Sequence, residues 1–189
     1  MASIARLRVE WSGTGIQGTG LSTFYFNPSN TGAATAVKAF FTTLNPVLWP
    51  AGLTITVPPG GDIIDDATGV LSGAWTDAGT GGTITGTGSG TYSLGVGMRV
   101  KWGTNGIFRG RRVQGSTFIV PIMGAIFDSN GTIANATVTS SSAAAQTLAT
   151  SAPQFKVWSR PGPTWSGTSN NMTSGTVPDK VSWLRTRRT

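Results

Sequence analysis

The sequence predicts an all-β chain: a single-domain antiparallel β-sandwich or barrel, interrupted by two short helices. Three observations predict it. Apolar and polar residues alternate with period two through most of the chain. Some ten short strand signals are separated by turns rich in Gly, Pro and Asn. The length of 189 residues suits one domain with a real core, and no repeat or linker divides it, so residues 1–189 are read as one unit.

The first strand is expected over Ile4 to Trp11, where Arg6, Arg8 and Glu10 stand between Leu7, Val9 and Trp11. Leu21 to Phe26 and Leu53 to Val57 follow, the latter in strict alternation. Ile63-Ile64 and Val70 to Trp75 flank Asp66-Ala67-Thr68-Gly69, whose turn chemistry predicts a hairpin. Thr83 to Thr85, Tyr92 to Leu94, Met98 to Trp102, Arg111 to Val113 and Thr117 to Pro121 read as further strands. Phe155 to Trp158 and Val181 to Leu184 complete the set.

Two segments depart from alternation. Over 33–44, Ala36, Val37, Phe40, Phe41 and Leu44 fall on one helical stripe, with Asn30 or Thr31 available as a cap and Pro46 closing the helix. Residues 133–149 carry a weaker helical pattern after the turn Asp128-Ser129-Asn130-Gly131. Ala78 to Gly90 and Pro161 to Gly175 read as loops. The second loop holds Trp165, and an isolated Trp in polar surroundings is expected to dock, on its own domain or a neighbour.

Composition excludes several classes of chemistry. The chain has no Cys and no His, and Glu10 is its single Glu. Disulfide scaffolds, zinc fingers, thiol enzymes and Ser-His-Asp hydrolases all need residues it lacks. With so few carboxylates an enzyme is not expected, nor a metal, cofactor or small-molecule substrate. Gly13-Thr14-Gly15-Ile16-Gln17-Gly18 matches a dinucleotide-binding fingerprint, but a strand signal follows it where a helix is required. Asp65-Asp66 reads as turn chemistry rather than a metal pair, because strand neighbours point to opposite faces. Met1 to Arg8 lacks an apolar signal core and no run approaches a membrane span, so the three Asn-x-Ser/Thr matches are read as unglycosylated.

Charge is distributed unevenly. Residues 1–94 carry three basic and five acidic side chains, residues 95–189 eleven and two, so the net +7 is the sum of −2 and +9. Such asymmetry points to a polyanion partner, with solubility the plainer alternative. Arg109, Arg111 and Arg112 form one cluster, and Arg185, Arg187 and Arg188 another. Guanidinium groups pair their donors on phosphate; a solvated turn and tail explain the clusters equally well. Nothing reads base sequence, so any binding would be phosphate-driven and salt-sensitive. The seven tryptophans read as core or interface anchors more readily than as stacking platforms; Trp165 and Trp183 are the interface candidates.

Arg6-Leu7-Arg8-Val9-Glu10-Trp11 with its following Gly-rich turn and Thr23-Phe24-Tyr25-Phe26, Val157-Trp158-Ser159-Arg160-Pro161, and Val177 to Arg188 carry a resemblance. Together with Arg109 to Pro121 they resemble basic, β-rich reading frames of environmental circular single-stranded DNA viruses, taken to be capsid proteins of small icosahedral virions. The resemblance implies a single jelly roll with helices in its loops. It also implies a virion protein that self-assembles into a large homo-oligomeric shell around a genome, expected to be single-stranded. Many such proteins carry a long Arg-rich N-terminal arm, whereas this sequence opens on a strand signal. The inner basic surface is therefore expected from Arg6, Arg8, Arg109, Arg111, Arg112, Arg185, Arg187 and Arg188. Two alternatives stand beside it. One is a phage tail-tube or head-completion protein with 78–90 as a ring-linking hairpin; the other is a monomeric nucleic-acid or glycan-binding β-domain.

Overall fold

Alternation along Ser3–Gly13, strand β1, organises the strands around it. Ala5, Leu7 and Val9 are buried, while Arg8 and Glu10 are exposed and Arg6 half-buried. The computed structural model describes residues 3–13, 20–65, 70–90, 92–101, 106–108, 111–113, 117–123, 135–151, 154–158, 163–166 and 180–185. β1 pairs with β2 (Gly20–Phe26) in a hairpin that sets Trp11 opposite Gly20. A side chain on Gly20 would overlap the Trp11 indole, so this rung requires glycine. Gly13 ends β1 and the next described element is a strand, not a helix; residues 14–19 of the glycine fingerprint segment lie outside the described residues.

The opposite edge of β1 is shared. Ser3 to Arg6 pair with β4 (Gly60–Asp65), and Glu10 to Gly13 pair with β3 (Leu53–Val57). β3 continues to β6 (Gly82–Thr85), and β4 to β5 (Leu71–Thr76). The strands flanking the expected turn pair, with Asp65 N–H donating to Val70 O and a bulge at Ser72; residues 66–69 themselves lie outside the described residues. β2 is likewise shared: Thr23 pairs with Thr117 of β10 (Thr117–Met123), and Phe26 with Gln154 of β11 (Gln154–Trp158). β10 leads to β7 (Tyr92–Lys101), which absorbs two expected segments into one strand, and β7 leads to β13 (Lys180–Arg185). β12 (Pro163–Ser166) pairs with β11, and β8 (Gly106–Phe108) with β9 (Arg111–Val113) in a separate ribbon.

The result is mostly antiparallel sheet, branched and not closed into a barrel, its main path running β13-β7-β10-β2-β1-β3-β6 with β4 and β5 branching from β1. The sheet does not close into a barrel: among the described residues, β13 and β6 each pair on one side only. The loop expected over 161–175 is corrected in part: Trp165 lies in β12, opposite Phe155.

Among the described residues, three helices lie against this framework: α1 (Ala33–Thr43), α2 (Asn45–Leu48) and α3 (Asn135–Ser151). The first and third fall where helical periodicity placed them. α1 buries Ala33, Ala34, Val37, Phe40 and Phe41, a stripe with helical spacing, against the sheet. Phe41 meets Phe24 edge-on with ring centroids 6.2 Å apart, and Trp49 at 5.7 Å. α3 lies beside α1 and buries Ala144, Ala145 and Leu148. Pro46 does not simply end α1. Leu44 is the C-cap, and Pro46 sits in the first turn of α2, where its missing N–H costs nothing.

The start of α1 also differs from expectation. Gly32 is the N-cap and has no side-chain cap bond; Asn30 Oδ1 accepts the Gly32 N–H at 2.9 Å. The deeper acceptor is Asp77, whose Oδ2 takes the Ala34 N–H at 2.6 Å from 43 residues away. At the other end, Trp49 Nε1 donates to the Phe41 carbonyl at 2.6 Å. Each satisfies a helix-terminal group that has no partner within the helix.

Candidate functional site

The basic residues sort into two groups by their surroundings. Arg6 and Arg8 share the outward face of β1, and β4 brings Asp62 directly opposite Arg6. Asp62 Oδ2 accepts from Arg6 Nε at 3.1 Å and Nη2 at 2.6 Å, and Arg8 Nη2 lies 3.4 Å from the same oxygen. The Arg6 side chain is 19% exposed and that of Arg8 48%. Glu10 follows on the same face, exposed. Two cations and two carboxylates thus offset one another at this end of the sheet. Alternation revealed that Arg6 and Arg8 share a face; the arrival of Asp62 depends on pairing across 56 residues and had no local signal.

The second group lies in strands that contain no Asp or Glu. Lys101 of β7 stands opposite Thr117 on one side and Lys180 on the other; Arg99 stands opposite Ile119 and Ser182. Arg185 closes β13 opposite Val96. Arg111 and Arg112 are opposite Phe108 and Ile107 in the β8–β9 ribbon, which adjoins β11. Arg109, Arg187 and Arg188 lie outside the described residues. Trp165 and Trp183 both occupy strands that pair on one side only among the described residues, β12 and β13. The sequence singled out the arginine clusters and passed over Arg99, Lys101 and Lys180. Period two in Met98-Arg99-Val100-Lys101 showed a face, but only the β7–β13 pairing brings a second lysine beside it.

No protein-family model, curated protein or solved structure matches the chain.

A groove of about 350 Å³ between α1 and α3 is walled by Ala36, Ala39, Phe40, Ala143, Ala144 and Leu148 with Ser and Thr at its rim, and none of its lining residues is ionisable. Among the described residues, no three carboxylates converge as a metal site would require, and no helix is long and apolar enough to cross a membrane. What the described strands of the second half bring together by register is basic residues: Arg99 and Lys101 in β7, Lys180 and Arg185 in β13.

The other exposed feature is apolar. Val70 and Leu71, at the tip of the β4–β5 hairpin, are 62% and 57% exposed. β5 is buried at Trp75 alone, whose Nε1 donates to Pro28 O at 3.2 Å. Its outer edge is unpaired among the described residues, and Leu71 to Thr76 contains neither a charge nor a proline.

Proposed function

We propose that this chain is a structural protein: a capsid subunit that assembles with copies of itself into an icosahedral virion shell and encloses a nucleic-acid genome through non-specific phosphate contacts. The observation that carries this reading is the β5 edge. Proteins that remain monomeric defend such edges with charge, proline, short strands or covering elements. The other margins of this sheet have those defences. β13 carries Lys180 and Arg185, β12 opens on Pro163, and β6 is four residues long with Lys38 Nζ donating to the neighbouring Gly81 carbonyl. β5 has only the bulge at Ser72, and it presents two exposed aliphatic side chains at its tip. An edge so lightly defended among the described residues is an aggregation hazard in a monomer and a docking surface in an assembly.

The sandwich or jelly-roll form of the fold belongs to the same reading. β1 and β2 each pair with different strands along their two halves, and a strand shared in this way can turn the corner between two packed layers. The tail-tube alternative draws less support. Within 78–90, Gly86 N–H donates to Leu53 O at 2.7 Å and Gly88 N–H to Trp49 O at 3.0 Å, so this segment is bound to its own domain.

Electron microscopy of the purified protein, with and without single-stranded DNA, tests the proposal. Closed spherical particles are expected. Tubes or rings would transfer the reading to a tail or head-completion protein, and monomers at every salt and pH would leave a monomeric binding domain.

A further inference from the structure

Strand register draws one line across five strands. Arg8 stands opposite Thr23, Thr23 opposite Thr117, Thr117 opposite Lys101, and Lys101 opposite Lys180. Direct partners in an antiparallel ladder share a face. Leu7, Phe24, Val120 and Met98, of the opposite parity in four of these strands, are buried, so register places the row on the other face of the sheet, where Arg8 is exposed and Thr23 half-buried. Four strand spacings give it a length of about 19 Å. Arg99 lies two residues from Lys101, and Tyr25 two residues from Thr23, on the same parity.

The electrostatics of this row are lopsided. Its β1 end is offset by Asp62 and Glu10, whereas β2, β10, β7 and β13 contain no acidic residue. Two lysines directly opposed in a ladder are destabilising in the free protein. A negatively charged partner lying along the row relieves that repulsion.

We infer that this row is a track for the backbone of single-stranded nucleic acid, running across the strands from β13 toward β1. On this reading Lys101, Lys180 and Arg99 take phosphates at the end whose described strands hold no carboxylate, Asp179 beside Lys180 lying outside the described residues. The hydroxyls of Thr117 and Thr23 donate to phosphate or sugar oxygens in the middle, and the part-exposed Arg8 closes the row. Tyr25, half-buried beside Thr23, offers an aromatic edge to a base, which favours nucleic acid over a sulfated polysaccharide. The track deepens the genome-enclosing function proposed above and rests on it for the identity of the polyanion. It adds Arg99, Lys101 and Lys180 to the residues expected from sequence.

The test is binding of labelled oligo(dT) to the full chain over a salt series, followed by fluorescence anisotropy. Lys101→Gln/Lys180→Gln should bind more weakly, with a log–log salt slope shallower by about 1.4, or about 0.7 for each lost contact. Lys101→Arg/Lys180→Arg should keep the parental slope. Without nucleic acid at low salt, the Gln pair should melt no lower than the parent, because a repulsion has been removed. Should it fail to fold, Thr23→Glu decides, since a negative charge in mid-row must weaken binding. Tyr25→Leu should weaken oligo(dT) binding and leave heparin binding unchanged. A folded Gln pair with the parental slope overturns the track, and equal losses for heparin and oligo(dT) in Tyr25→Leu overturn its assignment to nucleic acid. Closed shells combined with an unchanged slope would remove the track and leave the assembly reading intact. A shortened slope in a chain that never assembles would do the reverse.

Discussion

Asp77 is 4% exposed, and its two oxygens have different surroundings. Oδ2 holds the Ala34 N–H at the start of α1, while Oδ1 is buried with no hydrogen-bond partner. The backbone is held as well, Asp77 N–H donating to Pro59 O at 3.0 Å. The carboxylate therefore ties the first turn of α1 to the segment that follows β5. Asp77→Ala should lower unfolding stability by about 1–3 kcal/mol, since it removes a cap and leaves a buried N–H unpaired. Asp77→Asn keeps an acceptor and should lose less than half of that in denaturant unfolding; equal losses would show that the charge beside the helix N-terminus matters more than the hydrogen bond. Nothing local in the sequence pointed here. Asn30 and Thr31 had the right residue types beside the helix, and a residue brought in by tertiary packing took the role.

Elements were legible where one face is buried and the other wet. β1, β2, β3 and α1 lie within two residues of where periodicity placed them, because burial enforces the period. β8 and β12 were missed; each is three or four residues long, too short for alternation to stand out among Gly, Pro and Thr. The choice of partner was not legible at all, since a strand pattern shows which face is buried and not what lies at its edges. That is why the β5 edge emerges only from the structure. At this scale, Leu71→Lys places a charge on an exposed edge position. Its unfolding free energy should stay within about 0.5 kcal/mol of the parent's. Sedimentation should show assembly lost; parental assembly would mean that β5 is not a subunit contact.

Across the whole molecule, the charge asymmetry between the two halves was plain in the sequence, but the location of the surplus was not. Clustered arginines drew attention because they are adjacent in sequence; Lys101 and Lys180 are 79 positions apart (180 − 101) and become neighbours through a single ladder. The shared pairing of β1 has one more consequence, which concerns the order of events when the chain folds. Every strand and helix from β1 to β6 finds partners within the first 90 residues. The later strands reach this group chiefly through β2, and α3 through α1. Loop-closure entropy favours the nearer pairings, so the earlier group should form first and present β2 as the template on which β10 and then β7 and β13 add. Pulse-labelled hydrogen exchange during refolding should find the amides of β1, β2 and β3 protected ahead of those in β7 and β13. On a ribosome, the same order would leave β2 as an open edge until the second half emerged, the interval in which the nascent chain is most exposed to pairing with the wrong neighbour.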